Sequence, residues 1–192
     1  MKHSHLLFLF IPGFFLLSCQ RVTNAENLKK IGELEKTVNE IRNSAPANPA
    51  EVDIFPFQEL AIAYVDFVDK YPDATEAPDF LFKAGELYSQ ELNDLPRALD
   101  LFTRDYQQYP DHPTAPHALF LKGYLYNNTL HDYKNAELFY KEFLNKYPKH
   151  ELAKSARFEI EQMGVPADEL LRRLQQESGG KAADSVTQKG IK

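Results

Sequence analysis

The chain has 192 residues, of which 43% are hydrophobic and 26% charged, and it contains one cysteine and no tryptophan. No apolar run reaches the ~20 residues that a membrane-spanning helix needs, so a multi-pass membrane protein is excluded. The formal net charge of −6 argues against a general nucleic-acid binder, because such proteins need a basic surface to neutralise phosphates. A single cysteine can form neither an intrachain disulfide nor a zinc site of several thiolates.

The first residues predict an export signal. Lys2 precedes the apolar stretch from Leu6 to Leu17, which is too short to span a membrane but fits the hydrophobic core of a signal peptide. The stretch ends in Leu16-Leu17-Ser18-Cys19. We therefore predict a signal peptide over residues 1–18. The alternative is an ordinary signal followed by an unrelated cysteine.

These last residues resemble the lipobox of bacterial lipoproteins, in which the cysteine receives diacylglycerol and becomes the mature N-terminus. The resemblance implies that Cys19 is lipidated and anchors the chain, because each buried CH₂ of an acyl chain contributes ~0.8 kcal/mol. Gln20 stands where these lipoproteins carry an aspartate for retention in the inner membrane. The implied location is the periplasmic face of the outer membrane, or the cell membrane of a host with only one membrane.

Residues 19–50 predict a lipidated stem. Four apolar residues follow 3-4-3 spacing, which indicates a short amphipathic or coiled-coil helix: Ile31, Leu34, Val38 and Ile41. Because about two heptads are marginal for association, packing on the chain's own domain, exposure and self-association all remain open. The proline- and asparagine-containing sequence of residues 43–50 predicts a linker.

The region from residue 51 to 177 repeats with a period of 38 residues. The dipeptide Tyr-Pro occurs at 71–72, 109–110 and 147–148, and small and aromatic residues recur at the same offset. Each unit contains two helical patterns around a polar break, and a proline stops the second helix. We predict helices over residues 55–70, 76–91, 96–108, 114–128, 133–146 and 151–163. A capping helix is predicted over 166–177, and residues 178–192 are predicted to be disordered.

The pattern resembles the tetratricopeptide repeat, a helix–turn–helix unit of about 34 residues. The matching residues are Gly85, Tyr88, Ala98, Phe102 and Pro110 in one unit, and Gly123, Tyr126, Ala136, Tyr140 and Pro148 in the next. The small residues let two helix axes approach, and the aromatic residues fill the adjacent grooves. The resemblance implies an all-α fold, a right-handed α-solenoid of about three 38-residue units.

In this family the first helices of successive repeats line a groove that holds peptides or partner helices. The resemblance therefore implies a partner-binding groove formed by nine residues: Phe82, Glu86, Ser89, Gln90, His117, Phe120, Tyr124, Asn127 and Asn128. The side-chain amides of Asn127 and Asn128 can bind an extended peptide backbone, or these residues simply end their helix.

Acidic residues concentrate in one part of the repeat region. Residues 51–111 hold 14 acidic and 4 basic residues, whereas residues 112–192 hold 10 acidic and 12 basic residues. The acidic part is either a solvated face or a docking surface for a basic partner, whose approach it would accelerate at low salt.

No pattern in the sequence predicts chemistry. Motifs of serine hydrolases, zinc proteases and phosphate-binding loops are missing, and His112 and His117 are five residues apart, which does not place them on one helical face. We therefore predict no enzyme activity, no metal, no cofactor, no nucleic-acid partner and no small-molecule substrate.

Two families of envelope proteins resemble the chain. Tyr109-Pro110-Asp111-His112-Pro113 and the helix after it are similar to the lipoprotein subunit of the outer-membrane β-barrel assembly machinery (BamD). The stem and the repeats from Tyr109 to Ala156 are similar to the Tol-Pal-associated periplasmic coordinator (CpoB). These resemblances imply a lipid-anchored scaffold that binds another envelope protein or peptide in outer-membrane protein assembly. The alternatives are a self-associating structural lipoprotein and a factor for Tol-Pal or cell-wall coordination.

Overall fold

The computed structural model describes residues 14–44 and 52–166, together with positions 169 and 172, and all regular structure within these residues is helical. Seven helices follow one another: α1 (Phe14–Ser44), α2 (Phe55–Lys70), α3 (Ala77–Gln90), α4 (Leu95–Gln108), α5 (Thr114–Asn128), α6 (Tyr133–Lys146) and α7 (Ala153–Gln162). The predicted all-α, tetratricopeptide-like fold is confirmed. Most of the predicted signal peptide, linker, capping helix and tail lies outside the described residues.

The helices group into two compact units, which we call the N-terminal unit (residues 1–109) and the C-terminal unit (residues 110–192). In the N-terminal unit, α1 packs on α2, α2 on α3 and α3 on α4. In the C-terminal unit, α5 packs on α6 and α6 on α7. Each unit therefore contains one complete helical hairpin, α3–α4 or α5–α6, with additional helices packed on it.

The turn inside each hairpin has the same geometry. Asn93 and His131 occupy equivalent positions and adopt positive φ angles of 50° and 53°. The next residue is an aspartate, and its carboxylate accepts a hydrogen bond from the backbone N–H three residues later, at 3.2 Å for Asp94 and 3.1 Å for Asp132. These bonds satisfy a helix N–H that has no partner within the helix, so the polar break predicted from the sequence acts as a helix N-cap.

The recurring glycines lie where the two helices of a hairpin come closest. A Cβ atom built on Gly85 would stand 2.7 Å from Phe102 Cε1, and one built on Gly123 would stand 2.9 Å from the Tyr140 ring. Both rings are fully buried. Each glycine is therefore required by the aromatic residue that faces it on the second helix.

The Tyr-Pro dipeptides join successive turns. Tyr109 donates a hydrogen bond from its hydroxyl to the Pro72 carbonyl at 2.8 Å, and Tyr147 donates to the Pro110 carbonyl at 3.4 Å. The earliest of these tyrosines, Tyr71, instead accepts a hydrogen bond from Asn27 of α1 at 3.2 Å. Equivalent hydrogen bonds between turns therefore recur with the same 38-residue period as the sequence.

Helix α1 packs on the repeats of its own unit. Ile31 and Val38, from the apolar stripe of the predicted stem, are 2% and 1% exposed. Helix α1 precedes α2 and packs on it, in the same way that α3 precedes α4 and packs on it. Relative to α2, α1 therefore occupies the position of the first helix of a repeat. The sequence left three alternatives open for the apolar stripe: packing on the chain's own domain, exposure and self-association. In the structure, the stripe packs on the chain's own domain.

Candidate protein-binding surfaces

A groove of about 570 Å³ lies in the N-terminal unit between α1, α2 and α3, and we call it the α1–α3 groove. Two residues of the predicted binding set, Glu86 and Gln90, line it. The other lining residues are Glu35, Val38, Asn39, Arg42, Leu60, Tyr64, Lys83, Leu87 and Glu91. The groove has an apolar floor and polar walls, and α1 supplies one of these walls.

Four charged residues of the α1–α3 groove form two ion pairs. Lys83 Nζ lies 2.8 Å from Glu35 Oε1, and the Tyr64 hydroxyl donates to the same oxygen at 2.6 Å. Arg42 Nη2 lies 2.9 Å from Glu91 Oε1, and the guanidinium also lies over the Phe57 ring. Both basic side chains are therefore used to hold α1 against its neighbours.

The pKa of Glu35 reflects these contacts. Burial has the largest single effect and raises it, but the hydrogen bonds from Lys83 and Tyr64 and the positive charge of Lys83 together lower it more, so the pKa lies below its ordinary value of 4.5. Burial and the neighbouring Glu35 carboxylate raise the pKa of the Tyr64 phenol well above its usual range, so Tyr64 stays protonated and continues to donate.

We expect the docking of α1 to weaken in acid because of Glu35. A carboxylate whose pKa is lowered on folding stabilises the fold fully above its unfolded pKa, and this contribution is lost as the pH falls below 4.5 through the folded pKa. Urea unfolding from about pH 6 to about pH 3 should show a smaller loss of stability for Glu35→Gln than for the unaltered chain. Glu33→Gln, at an exposed glutamate on the same helix, is the control. Equal acid sensitivity of both variants would contradict this role of Glu35.

Phe82 and Ser89, also predicted to line the groove, make contacts within the unit. The Phe82 ring centroid lies 5.7 Å from that of Phe102 on α4. Ser89 Oγ donates to the Glu86 backbone carbonyl at 3.0 Å. Both side chains are half-buried, and their contacts are those of hairpin packing and helix structure rather than of a free binding wall.

Two predicted residues of the C-terminal unit also pack inward. The Phe120 ring centroid lies 5.4 Å from that of Tyr140 and 5.8 Å from that of Phe143. The His117 ring stands edge-on to the His150 ring at 5.2 Å. His150 in turn accepts a hydrogen bond from the Leu152 backbone N–H, next to the start of α7. These residues connect α5, α6 and the turn before α7.

The remaining predicted residues lie at the solvent-facing end of α5. Tyr124 is 43% exposed, and its backbone carbonyl accepts a hydrogen bond from Asn128 Nδ2 at 3.3 Å. Asn127 Nδ2 donates to Glu159 Oε2 of α7 at 2.9 Å. Asn127 and Asn128 therefore lie at the end of the helix and also line a surface groove.

That groove, which we call the α5–α7 groove, has a volume of about 390 Å³. The described lining residues come from the end of α5, the turn after it, the first residue of α6, α7 and the segment that follows α7: Asn127, Asn128, His131, Tyr133, Phe158, Glu159, Gln162, Gly164, Val165 and Pro166. The residues that α7 contributes were not predicted from the sequence. The available signal was Phe158, which occupies the same repeat position as Phe82 and Phe120.

The described ranges contain no cluster of three or more histidine, cysteine, aspartate or glutamate residues able to hold an ion. Within residues 14–44 and 52–166, no helix has both the length and the apolar character needed to cross a membrane.

Residues 117–150 match the family model of the tetratricopeptide repeat. The match covers most of α5, the turn with His131, and α6, which together form the hairpin closed by Gly123 and Tyr140. No curated protein of similar sequence matches the chain. The chain therefore contains a tetratricopeptide repeat, a type of unit that typically serves protein–protein interaction.

Proposed function

We propose that the chain is a lipid-anchored adaptor of the bacterial cell envelope, which holds another envelope protein through its helical repeats. The observation that carries the proposal is the combination of Leu16-Leu17-Ser18-Cys19 with a tetratricopeptide repeat at residues 117–150. In this proposal, the lipobox-like sequence directs the chain to a membrane, and the repeat binds the protein partner. The outer membrane is the proposed location, with assembly of outer-membrane proteins as the proposed process.

The packing of α1 supports a short distance between anchor and repeats. Helix α1 runs from Phe14 to Ser44, and Asn27 on this helix already contacts Tyr71 of the repeat region. Eight residues separate Cys19 from Asn27, which corresponds to about 12 Å of helix. An acyl group on Cys19 would hold the N-terminal unit close to the bilayer surface rather than on a long tether.

The burial of the α1 stripe favours the adaptor over the self-associating structural lipoprotein. Ile31 and Val38 are already buried within the N-terminal unit. A coiled coil formed by this stripe would have to expose the apolar surface of α2 that α1 covers, at a cost of about 25 cal/mol per Å².

The anchor is tested with Cys19→Ser in the full chain, expressed in a bacterium with two membranes. We expect the unaltered chain in the outer-membrane fraction with an incorporated fatty acid label, and the variant without the label and outside that fraction. Ser18→Ala, which keeps a small residue before the cysteine, is the control and should behave like the unaltered chain. A labelled or membrane-bound Cys19→Ser variant would contradict lipidation at this residue.

The adaptor role is tested by chemical cross-linking of the anchored chain in intact cells. Recovery of components of the β-barrel assembly machinery supports the proposed process. Recovery of a different envelope protein would support the adaptor function but in a process other than outer-membrane protein assembly. If no stable partner is recovered, the adaptor function is wrong.

A further inference from the structure

We propose that the α5–α7 groove binds a basic side chain of the partner polypeptide, an arginine or a lysine held by Glu159. This inference rests on the proposed protein-binding function and specifies the chemistry of the partner. It is carried by charge, by an unused hydrogen-bond acceptor and by exposed aromatic rings, which converge on one groove.

The charge of the groove is negative and unbalanced. With histidine neutral, Glu159 is the one formally charged residue among the described residues that line it. Asn127 donates to Glu159 Oε2 at 2.9 Å, and no lysine or arginine is among the described residues that line the groove. A carboxylate in a partly enclosed groove attracts a cation more strongly than one in open water does, because the effective dielectric constant is lower.

The groove also offers acceptors to a cationic donor. Gln162 Oε1 is buried and accepts no hydrogen bond from any residue that the structure describes. Helices α5 and α7 both end here, at Asn128 and Gln162, and the C-terminus of a helix carries a partial negative charge. An arginine has five N–H donors and no acceptor, so its guanidinium complements this set of groups.

Two aromatic rings complete the groove. Tyr133 and Phe158 line it and are 44% and 45% exposed. Phe82 and Phe120, at the repeat positions equivalent to Phe158, pack against aromatic residues of their second helices. Phe158 occupies the equivalent position on α7 and is nonetheless accessible. Exposed aromatic faces bind guanidinium and ammonium groups through cation–π contacts.

The α1–α3 groove differs from the α5–α7 groove as a site for a basic side chain. Two of the three glutamates that line it, Glu35 and Glu91, are already paired with Lys83 and Arg42. A basic side chain that binds Glu35 or Glu91 would have to break one of these pairs and weaken the docking of α1. The α5–α7 groove requires no such exchange.

The test uses fluorescence anisotropy of a ten-residue Gly/Ser peptide that carries one tryptophan and two arginines. Because the protein contains no tryptophan, excitation at the red edge of the tryptophan band, where tyrosine does not absorb, makes the signal come from the peptide alone. We expect saturable binding to the full chain in zwitterionic detergent, and binding about tenfold weaker when glutamine replaces both arginines. Glu159→Gln should weaken binding of the arginine peptide about fivefold. Glu161→Gln, the same charge change two residues along α7 at an exposed position, should weaken it less than about twofold.

Equal weakening by Glu159→Gln and Glu161→Gln would overturn the proposal, because binding would then follow net charge alone. Peptide binding that appears only after removal of residues 178–192 would also overturn it, since it would make the chain's own basic tail the occupant. Circular dichroism melts of both variants establish that they are folded. If a partner cross-links in cells but Glu159→Gln does not weaken its binding, this inference is wrong and the adaptor function stands.

Discussion

Gly85→Ala should lower the free energy of unfolding of the N-terminal unit by about 1–3 kcal/mol, the usual cost of adding a methyl group to a packed core. The new Cβ would stand 2.7 Å from Phe102 Cε1, and Phe102 is fully buried, so the ring cannot move aside without displacing its own neighbours. This cost exceeds the gain of up to about 1 kcal/mol that alanine normally brings within a helix. Urea unfolding followed by circular dichroism measures the difference.

Gly32→Ala is the matched control, because it makes the same change within a helix. No atom lies within 4 Å of a Cβ built at Gly32 on α1. We expect this variant to gain about 0.5–1 kcal/mol, so the two substitutions should have opposite signs. Phe102→Leu placed together with Gly85→Ala should recover part of the loss. Two stabilising substitutions, or no recovery in the double variant, would show that the close approach of α3 and α4 does not depend on this glycine.

Val38→Asp should release α1 from the N-terminal unit. Val38 is 1% exposed, and an aspartate there would place a charge among apolar side chains at a cost of about 3 kcal/mol, which undocking avoids. Amide hydrogen exchange of α1 should then accelerate by about a hundredfold. The amides of α5 and α6, in the other unit, should not change.

Asn39→Asp introduces the same charge at the next residue, which is exposed, and should leave exchange of α1 close to that of the unaltered chain. Comparison of Val38→Asp with Asn39→Asp distinguishes packing of the apolar stripe within one chain from association of separate copies. If the stripe joined separate copies of the chain, Val38→Asp would reduce the size of the particle in sedimentation and leave α2 and α3 protected from exchange. That result would contradict the intrachain docking of α1.

The sequence predicted the helices and the hairpins well, because both depend on local and periodic features. The predicted bounds of α2, α5 and α6 coincide with the observed ones, and those of α3, α4 and α7 differ by at most two residues at either end. Proline and aspartate act at helix ends through backbone hydrogen bonds that involve only neighbouring residues. Gly85 and Gly123 recur in the sequence together with an aromatic residue on the following helix, so the pairing of α3 with α4 and of α5 with α6 could also be predicted.

The structure places the predicted binding residues in different surroundings. Of the nine residues placed in a single groove by resemblance, Glu86 and Gln90 line the α1–α3 groove, and Asn127 and Asn128 line the α5–α7 groove. Position within a repeat does not tell whether a side chain such as Phe120 faces a partner or the second helix of its own hairpin. That choice depends on the volume left between helices, which is a property of packing.

What the sequence determined by itself is the repeat, with a period of 38 residues and two helices in each unit. What only the tertiary structure decided is how the ends of the repeat region are used. Ile31 and Val38 could serve a coiled coil or a core equally well by their spacing, and the apolar face of α2 selects the core. Phe158 has the same repeat position as two packed phenylalanines, yet it stays exposed, because the burial of a side chain depends on which residues surround it and not on its place in a repeat.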